Sequence, residues 1–435
     1  MSETPRKAGR FERWAAALVF AVPLYYLVTE RTRDVFLVTW SKQWTVAILV
    51  YVAFYAGLLL SYSRELPRWV RAMRTLGVLV PASVMAALFC IEVTLRLTDH
   101  AQFEELEASG RHAPDPDVGH VFFPNYKQTL QSREYSIEWK SNSQGVRGDR
   151  DFGRKAPGVF RVLAAGDSFT EGAQVPYRDT WPAQLEACLN EHLGAGRVEV
   201  VDAGFPGYGT VNEARWIAKF GAQFEPDLVL VAATPNDLLE NQFPLQYVAR
   251  DGRMVSSAST AADEARWEQR RHWWCLAGAV ERSYTMDRFE HSAAAKRLLG
   301  RPPVTHMEAY MTDPNDKATR LWKLATQYML DARDAASKLG AKFGIVVIPY
   351  DHQLHPLGPG LDPALFGRKW AELGAAERFP VVDCLPAFLA APHPETLHWK
   401  EDMHCTAAGY HLVGSEVCRA VLARAPELGL PAPSK

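Results

Sequence analysis

The chain has 435 residues, 48% of them hydrophobic, with 48 Lys and Arg against 50 Asp and Glu and a formal net charge of −2. That balance excludes the basic excess a nucleic-acid binder needs and the charge bias of a disordered acidic chain. Six cysteines are too few for a disulfide-scaffold fold, and none forms the Cys-x-x-Cys pair of a zinc or redox site.

The apolar residues are unevenly spread. Trp14–Thr29, Trp44–Tyr62 and Thr75–Leu97 are apolar stretches close to the ~20 residues that span a bilayer as a helix. Tyr25, Tyr26, Trp40, Trp44 and Tyr62 sit near their ends, as interfacial aromatics do, and Glu92 and Arg96 fall near the end of the third. A cleaved signal peptide needs small residues after its apolar core, whereas the first stretch runs into Tyr25-Tyr26-Leu27-Val28-Thr29-Glu30. Residues 1–98 are therefore expected to be a membrane anchor of three transmembrane helices. Arg6, Lys7, Arg10 and Arg13 precede the first span, and Arg64, Arg68, Arg71 and Arg74 follow the second. The positive-inside rule then puts the N-terminus in the cytoplasm and everything after residue 98 on the extracytoplasmic side.

Residues 99–157 are polar and carry Pro114, Pro116, Pro124 and Pro157. They read as a linker with a small β element, placed at Tyr126–Lys140 by its alternation. From residue 158 to about 430, strand and helix patterns alternate. Val159–Ala165, Val198–Val201, Asp227–Ala233, Phe343–Ile348 and Pro380–Val382 read as strands. Pro182–Leu193, Val211–Phe224, Arg320–Leu339 and Ala407–Ala423 read as helices. This order predicts an α/β domain with a parallel sheet and its chemistry at the carboxyl ends of the strands. Residues 238–317 interrupt the alternation as an insertion. A hairpin is expected around Asp251-Gly252 and a helix at Trp273-Trp274, as a lid over the site or as surface elaboration.

Three strand-end turns carry polar chemistry. The first strand ends in Gly166-Asp167-Ser168-Phe169, where an exposed Ser can act as nucleophile. The second ends in Gly204-Phe205-Pro206-Gly207-Tyr208-Gly209, a turn able to present a bare N–H to a developing oxyanion. The third ends in Thr234-Pro235-Asn236-Asp237, where the Asn236 amide can aim at the same point. Glu401-Asp402-Met403-His404 follows near the C-terminus. A His held by a local carboxylate is the base a Ser nucleophile requires.

Taken together, these residues resemble the four sequence blocks of the SGNH/GDSL hydrolase family, over roughly residues 159–425. In that resemblance Ser168 is the nucleophile and His404 its base. The backbone N–H groups of Ser168 and Gly207 (Gly204 as fallback) and the Asn236 side chain form the oxyanion hole. The family acid lies either two residues before the His, at Asp402, or three before it, at Glu401; Asp402 is preferred. Thr234 departs from the Gly usual two residues before the Asn. Asn142-Ser143-Gln144-Gly145-Val146-Arg147-Gly148 is similar to a segment that precedes the first block in membrane-linked members.

The resemblance implies a three-layer α/β/α, flavodoxin-like parallel sheet and a serine esterase with no metal or organic cofactor, here expected behind the membrane anchor read from residues 1–98. Its expected substrate is an acyl ester, acetyl among the candidates, carried by a cell-surface glycan. Three alternatives stay open. One is an O-acyltransferase working with a separate membrane acyl-donor partner. The others are a lipase-like enzyme and a catalytically silent glycan-binding protein.

Overall fold

The computed structural model describes residues 110–256 and 306–432, apart from 133, 243, 244, 246, 251 and 252, together with 67 and 69. The three predicted spans and the Trp273-Trp274 segment lie outside the described residues. Among the described residues no helix is long and apolar enough to cross a membrane.

Five parallel strands form the central sheet: β5 (Phe160–Gly166), β6 (Val198–Gly204), β7 (Leu228–Ala233), β10 (Lys342–Val347) and β11 (Val381–Asp383). They lie in the order β6-β5-β7-β10-β11, with β5 pairing β6 on one side and β7 on the other. Renumbered by sequence among themselves, that order is 2-1-3-4-5. It is the doubly wound arrangement whose ligand crevice opens where the order reverses, between β5 and β7. The turns holding Ser168 and Asn236 leave these two strands.

Both faces of the sheet are covered, and the strand pleat assigns residues to them. Leu163, Val201, Val229, Val231 and Ile345 join one buried cluster with Trp216 and Ile217 of α3 (Thr210–Phe220), Leu321 of α5 (Asp316–Lys338) and Trp370 of α6 (Leu365–Glu377). Val162, Ala164, Val200, Leu230 and Val346 join a second with Trp181, Leu185 and Leu189 of α2 (Trp181–Leu193), Phe388 of α7 (Leu385–Ala390) and Val413 and Val417 of α8 (Ala407–Ala423). A period-2 run buried on both faces reads as continuously apolar, which is why these strands stood out in the sequence. A disulfide between Cys188 and Cys418 staples α2 to α8. Closing so long a loop contributes about 2–4 kcal/mol.

The polar segment before the domain is more structured than a linker. β1 (His112–Asp115) pairs with β2 (Gly119–Phe122), and β3 (Lys127–Gln131) pairs with β4 (Ser136–Lys140), both antiparallel. These hairpins are fixed to the α/β domain by buried side chains. Phe122 stacks on Phe205 at 4.7 Å and meets Trp139 edge-on at 4.7 Å. The Arg111 guanidinium lies over the Trp139 ring and pairs with Glu171, 3.1 Å away. Arg147 donates to the carbonyls of Glu171 and, at 2.6 Å, Val175. In the insertion, β8 (Tyr247–Arg250) pairs antiparallel with β9 (Arg253–Ser256) as expected of a hairpin there, while Asp251-Gly252 lie outside the described residues.

Candidate active site

The Ser168 turn depends on glycine at two crossings. A Cβ on Gly166 would lie 2.0 Å from Thr170 Oγ1, and one on Gly204 would lie 2.0 Å from the Glu171 backbone nitrogen. Only bare backbone lets the ends of β5 and β6 meet the short helix α1 (Ser168–Glu171). Asp167 caps that helix, its Oδ1 accepting the Phe169 N–H at 2.8 Å. Ser168, the first helical residue, stays partly exposed.

The other half of the site comes from residues 398–405, a narrow loop in which Trp399 N–H donates to the His404 carbonyl at 2.8 Å. Met403, at φ 66°, takes the left-handed conformation that swings Asp402 back beneath His404. His404 Nδ1 lies 2.5 Å from Asp402 Oδ1, and its Nε2 lies 2.8 Å from Ser168 Oγ. The carboxylate on His404 is thus that of Asp402; both ring nitrogens are occupied. Phe169 packs on the imidazole with centroids 4.5 Å apart and stacks on Tyr350 at 5.0 Å. Burial alone would lower the His404 pKa, but the hydrogen bond and charge of Asp402, with Asp167 and Glu171 adding, raise it. Burial works the other way on Asp402 and is the largest influence on it, but the hydrogen bond and charge of His404, the Tyr135 hydroxyl and the His404 N–H together outweigh it and hold that carboxylate low.

On the oxyanion side, Gly204 N–H already donates to Asp202 Oδ1 at 3.1 Å. Gly207, at φ 72°, stands in the half-buried part of the same turn. Asn236 is held on four sides. Its Nδ2 donates to Asp167 Oδ2 at 3.0 Å and Glu240 Oε2 at 2.9 Å. Its Oδ1 accepts from Tyr350 Oη at 2.7 Å and lies 2.5 Å from Thr234 Oγ1. Thr234 also reaches Asp167 Oδ2 at 2.8 Å, so the threonine in place of glycine ties the Ser168 turn to the Asn236 turn. Burial raises the pKa of Asp167, and burial plus the Asp167 charge pushes Glu240 up to about 8. Burial likewise raises Glu213 and Asp237 beneath them.

The structure therefore brings Ser168, His404 and Asp402 into one hydrogen-bonded chain and sets Asn236 beside the same turn. Sequence reasoning missed Asp167 and Glu240 as the partners of Asn236. Their proximity to Ser168 and Asn236 in the chain was visible, but nothing local told which carboxylates would be buried.

The profile of the GDSL-like Lipase/Acylhydrolase family matches residues 164–412, more than half of the chain and all three strand-end turns together with the His loop. The chain belongs to this family. An arylesterase from Vibrio mimicus is 31% identical over 96 residues, which cover 22% of this chain and 47% of that protein. The chain thus spans about half the length of that curated relative. Among solved structures, it resembles the lipase/acylhydrolase from Enterococcus faecalis, at 15% identity and a TM-score of 0.36, covering 61% of this chain and 97% of the other. An acetylxylan esterase from Geobacillus stearothermophilus is similar at 12% identity and a TM-score of 0.35, covering 63% and 97%.

Proposed function

We propose that the protein is a membrane-anchored, extracytoplasmic serine esterase that cleaves an acyl ester, with acetyl esters of a glycan as its substrate class. The observation that carries the chemistry is the continuous hydrogen-bonded chain from Ser168 through His404 to Asp402. His404 Nε2 takes the Ser168 proton as Oγ attacks the ester carbonyl carbon. The oxygen of the tetrahedral intermediate takes hydrogen bonds from Ser168 N–H, Gly207 N–H and Asn236 Nδ2. Asn236 supplies that bond by releasing Glu240, whose carboxyl at about 8 is largely neutral near pH 7. His404 then gives the proton to the leaving alcohol, and water, deprotonated by the same imidazole, frees the acid from the acyl-enzyme. The test is a chromogenic acetyl ester with full-length protein in detergent, wild type beside Ser168→Ala; equal rates would end the proposal. With a sugar acceptor added, acyl transfer in place of acid release would mark a transferase.

The raised His404 pKa has a kinetic sign. The base works only when neutral, so activity appears as pH rises through that pKa and is lost below it. The acid limb of kcat/KM is expected above the ordinary histidine value of about 6.5. A midpoint at or below that value in a pH–rate profile would contradict this reading of the site.

The placement rests on the three apolar stretches and their basic flanks, and the Cys188–Cys418 disulfide suits an oxidising compartment. Alkaline phosphatase fused after residue 110 should be active and a cytoplasmic reporter fused there silent. The reverse pattern would put the domain in the cytoplasm.

A further inference from the structure

The turn between β3 and β4 reaches the acid loop. Glu134 stands 266 residues before Lys400, yet its Oε1 accepts the Lys400 N–H at 2.9 Å. Its Oε2 accepts the N–H groups of Glu401 and Asp402, each at 3.0 Å. Three successive backbone N–H groups make a concavity for an anion, and here the anion is a side chain of the same protein. The neighbouring Tyr135 is buried, with its ring 5.6 Å from Trp399, and its hydroxyl donates to Asp402 Oδ2 at 2.7 Å. Asp402 thus has one oxygen on His404 and the other on Tyr135. Burial and the charge of Asp402 push the Tyr135 pKa up, so the phenol stays a donor.

We infer that Glu134 and Tyr135 are positioning residues for the reaction: Glu134 holds the backbone of residues 400–402, and Tyr135 holds the Asp402 carboxylate against His404. The inference rests on the esterase reading above. Its physical basis is the strain and reach of the loop. Met403 sits in a left-handed conformation that costs a branched or bulky residue energy. The loop keeps it only if something outside fixes the turn, and Glu134 supplies three charge-assisted hydrogen bonds for that purpose. Both residues lie outside the stretch 164–412 that the family profile covers. The acid of this site is therefore set by a segment that the family blocks do not contain.

Three variants of the full-length protein in detergent test this: Tyr135→Phe, Glu134→Gln and, as a control on an exposed carboxylate of the same hairpin, Glu138→Gln. Tyr135→Phe keeps the ring and its packing and removes only the hydroxyl. Its kcat should fall about ten- to a hundredfold, the effect of one hydrogen bond to a charged group, with KM essentially unchanged. The acid limb of its pH profile should move to higher pH, because Asp402, short of a donor, draws the His404 proton more strongly. Glu134→Gln turns an amide NH₂ or a single carbonyl toward three N–H groups and should lower kcat similarly. Glu138→Gln should match wild type. A purely structural hairpin would instead lower the melting temperature and leave kcat and the pH profile at wild-type values; that result for Tyr135→Phe overturns the inference. Ser168→Ala is run alongside. If it is inactive while Tyr135→Phe is unchanged, the positioning role alone fails. If Ser168→Ala keeps wild-type activity, the esterase reading fails and this inference with it.

Discussion

Ser168→Ala is expected to lower kcat by about four to six orders of magnitude while leaving KM within a few-fold of wild type. The reason is local. Ser168 Oγ is the atom 2.8 Å from His404 Nε2, and the turn that presents it has no second hydroxyl in that place. Thr170, two residues on, is fully buried beneath Gly166. Removing one hydroxyl from a partly exposed helix start barely disturbs packing, so the melting temperature should change little. What survives is the activity the oxyanion donors supply to a water attack, which is why the loss is not total. Steady-state kinetics and thermal unfolding on the same preparations measure both. A rate within about tenfold of wild type would remove Ser168 from the chemistry.

Asp402→Asn and Glu401→Gln should separate sharply. The first is expected to cost about 10⁴-fold in kcat and the second less than about threefold. In wild type, Asp402 Oδ1 accepts a hydrogen bond from His404 Nδ1–H, which keeps the ring proton on Nδ1 and leaves Nε2 bare toward Ser168. An asparagine can turn its NH₂ toward Nδ1, which puts the ring proton on Nε2, where it faces the nucleophile and cannot accept from it. The Tyr135 hydroxyl, donating to the other oxygen, favours that wrong amide orientation. Glu401 is exposed and contributes its backbone N–H to Glu134, a bond that a Gln side chain leaves intact. The opposite ordering of the two variants would assign the acid to Glu401.

The sheet was legible because its central strands are buried on both faces, so they read as mostly apolar runs ended by glycine or a polar turn. The last helix was legible for a similar local reason: Thr406 caps it, and its apolar positions recur at helical spacing. The candidate site residues were legible because they sit at strand ends, where a polar residue between glycines has few structural reasons to be there. The hairpins at 112–140 were harder to read. Their strands are four or five residues long, and much of their burial comes from contacts with the turn after β6, with α1 and with the acid loop, distant in sequence.

The sequence by itself determined the α/β order, singled out Ser168, Asn236 and His404 as candidate chemistry-bearing residues, and showed the three apolar stretches ahead of them. Those features are set by local composition and by spacing along one segment. Only the tertiary structure shows which of the two carboxylates, Asp402 rather than Glu401, lies against His404, because that contact turns on one left-handed residue, Met403, and on which side chain the backbone then swings toward the imidazole. It also decided that Asn236 rests between two carboxylates, and that Glu134 and Tyr135, from the other end of the domain, hold the acid loop. Hydrogen bonds spanning more than two hundred residues leave no period and no motif. They exist only once the sheet has folded and placed the two turns side by side.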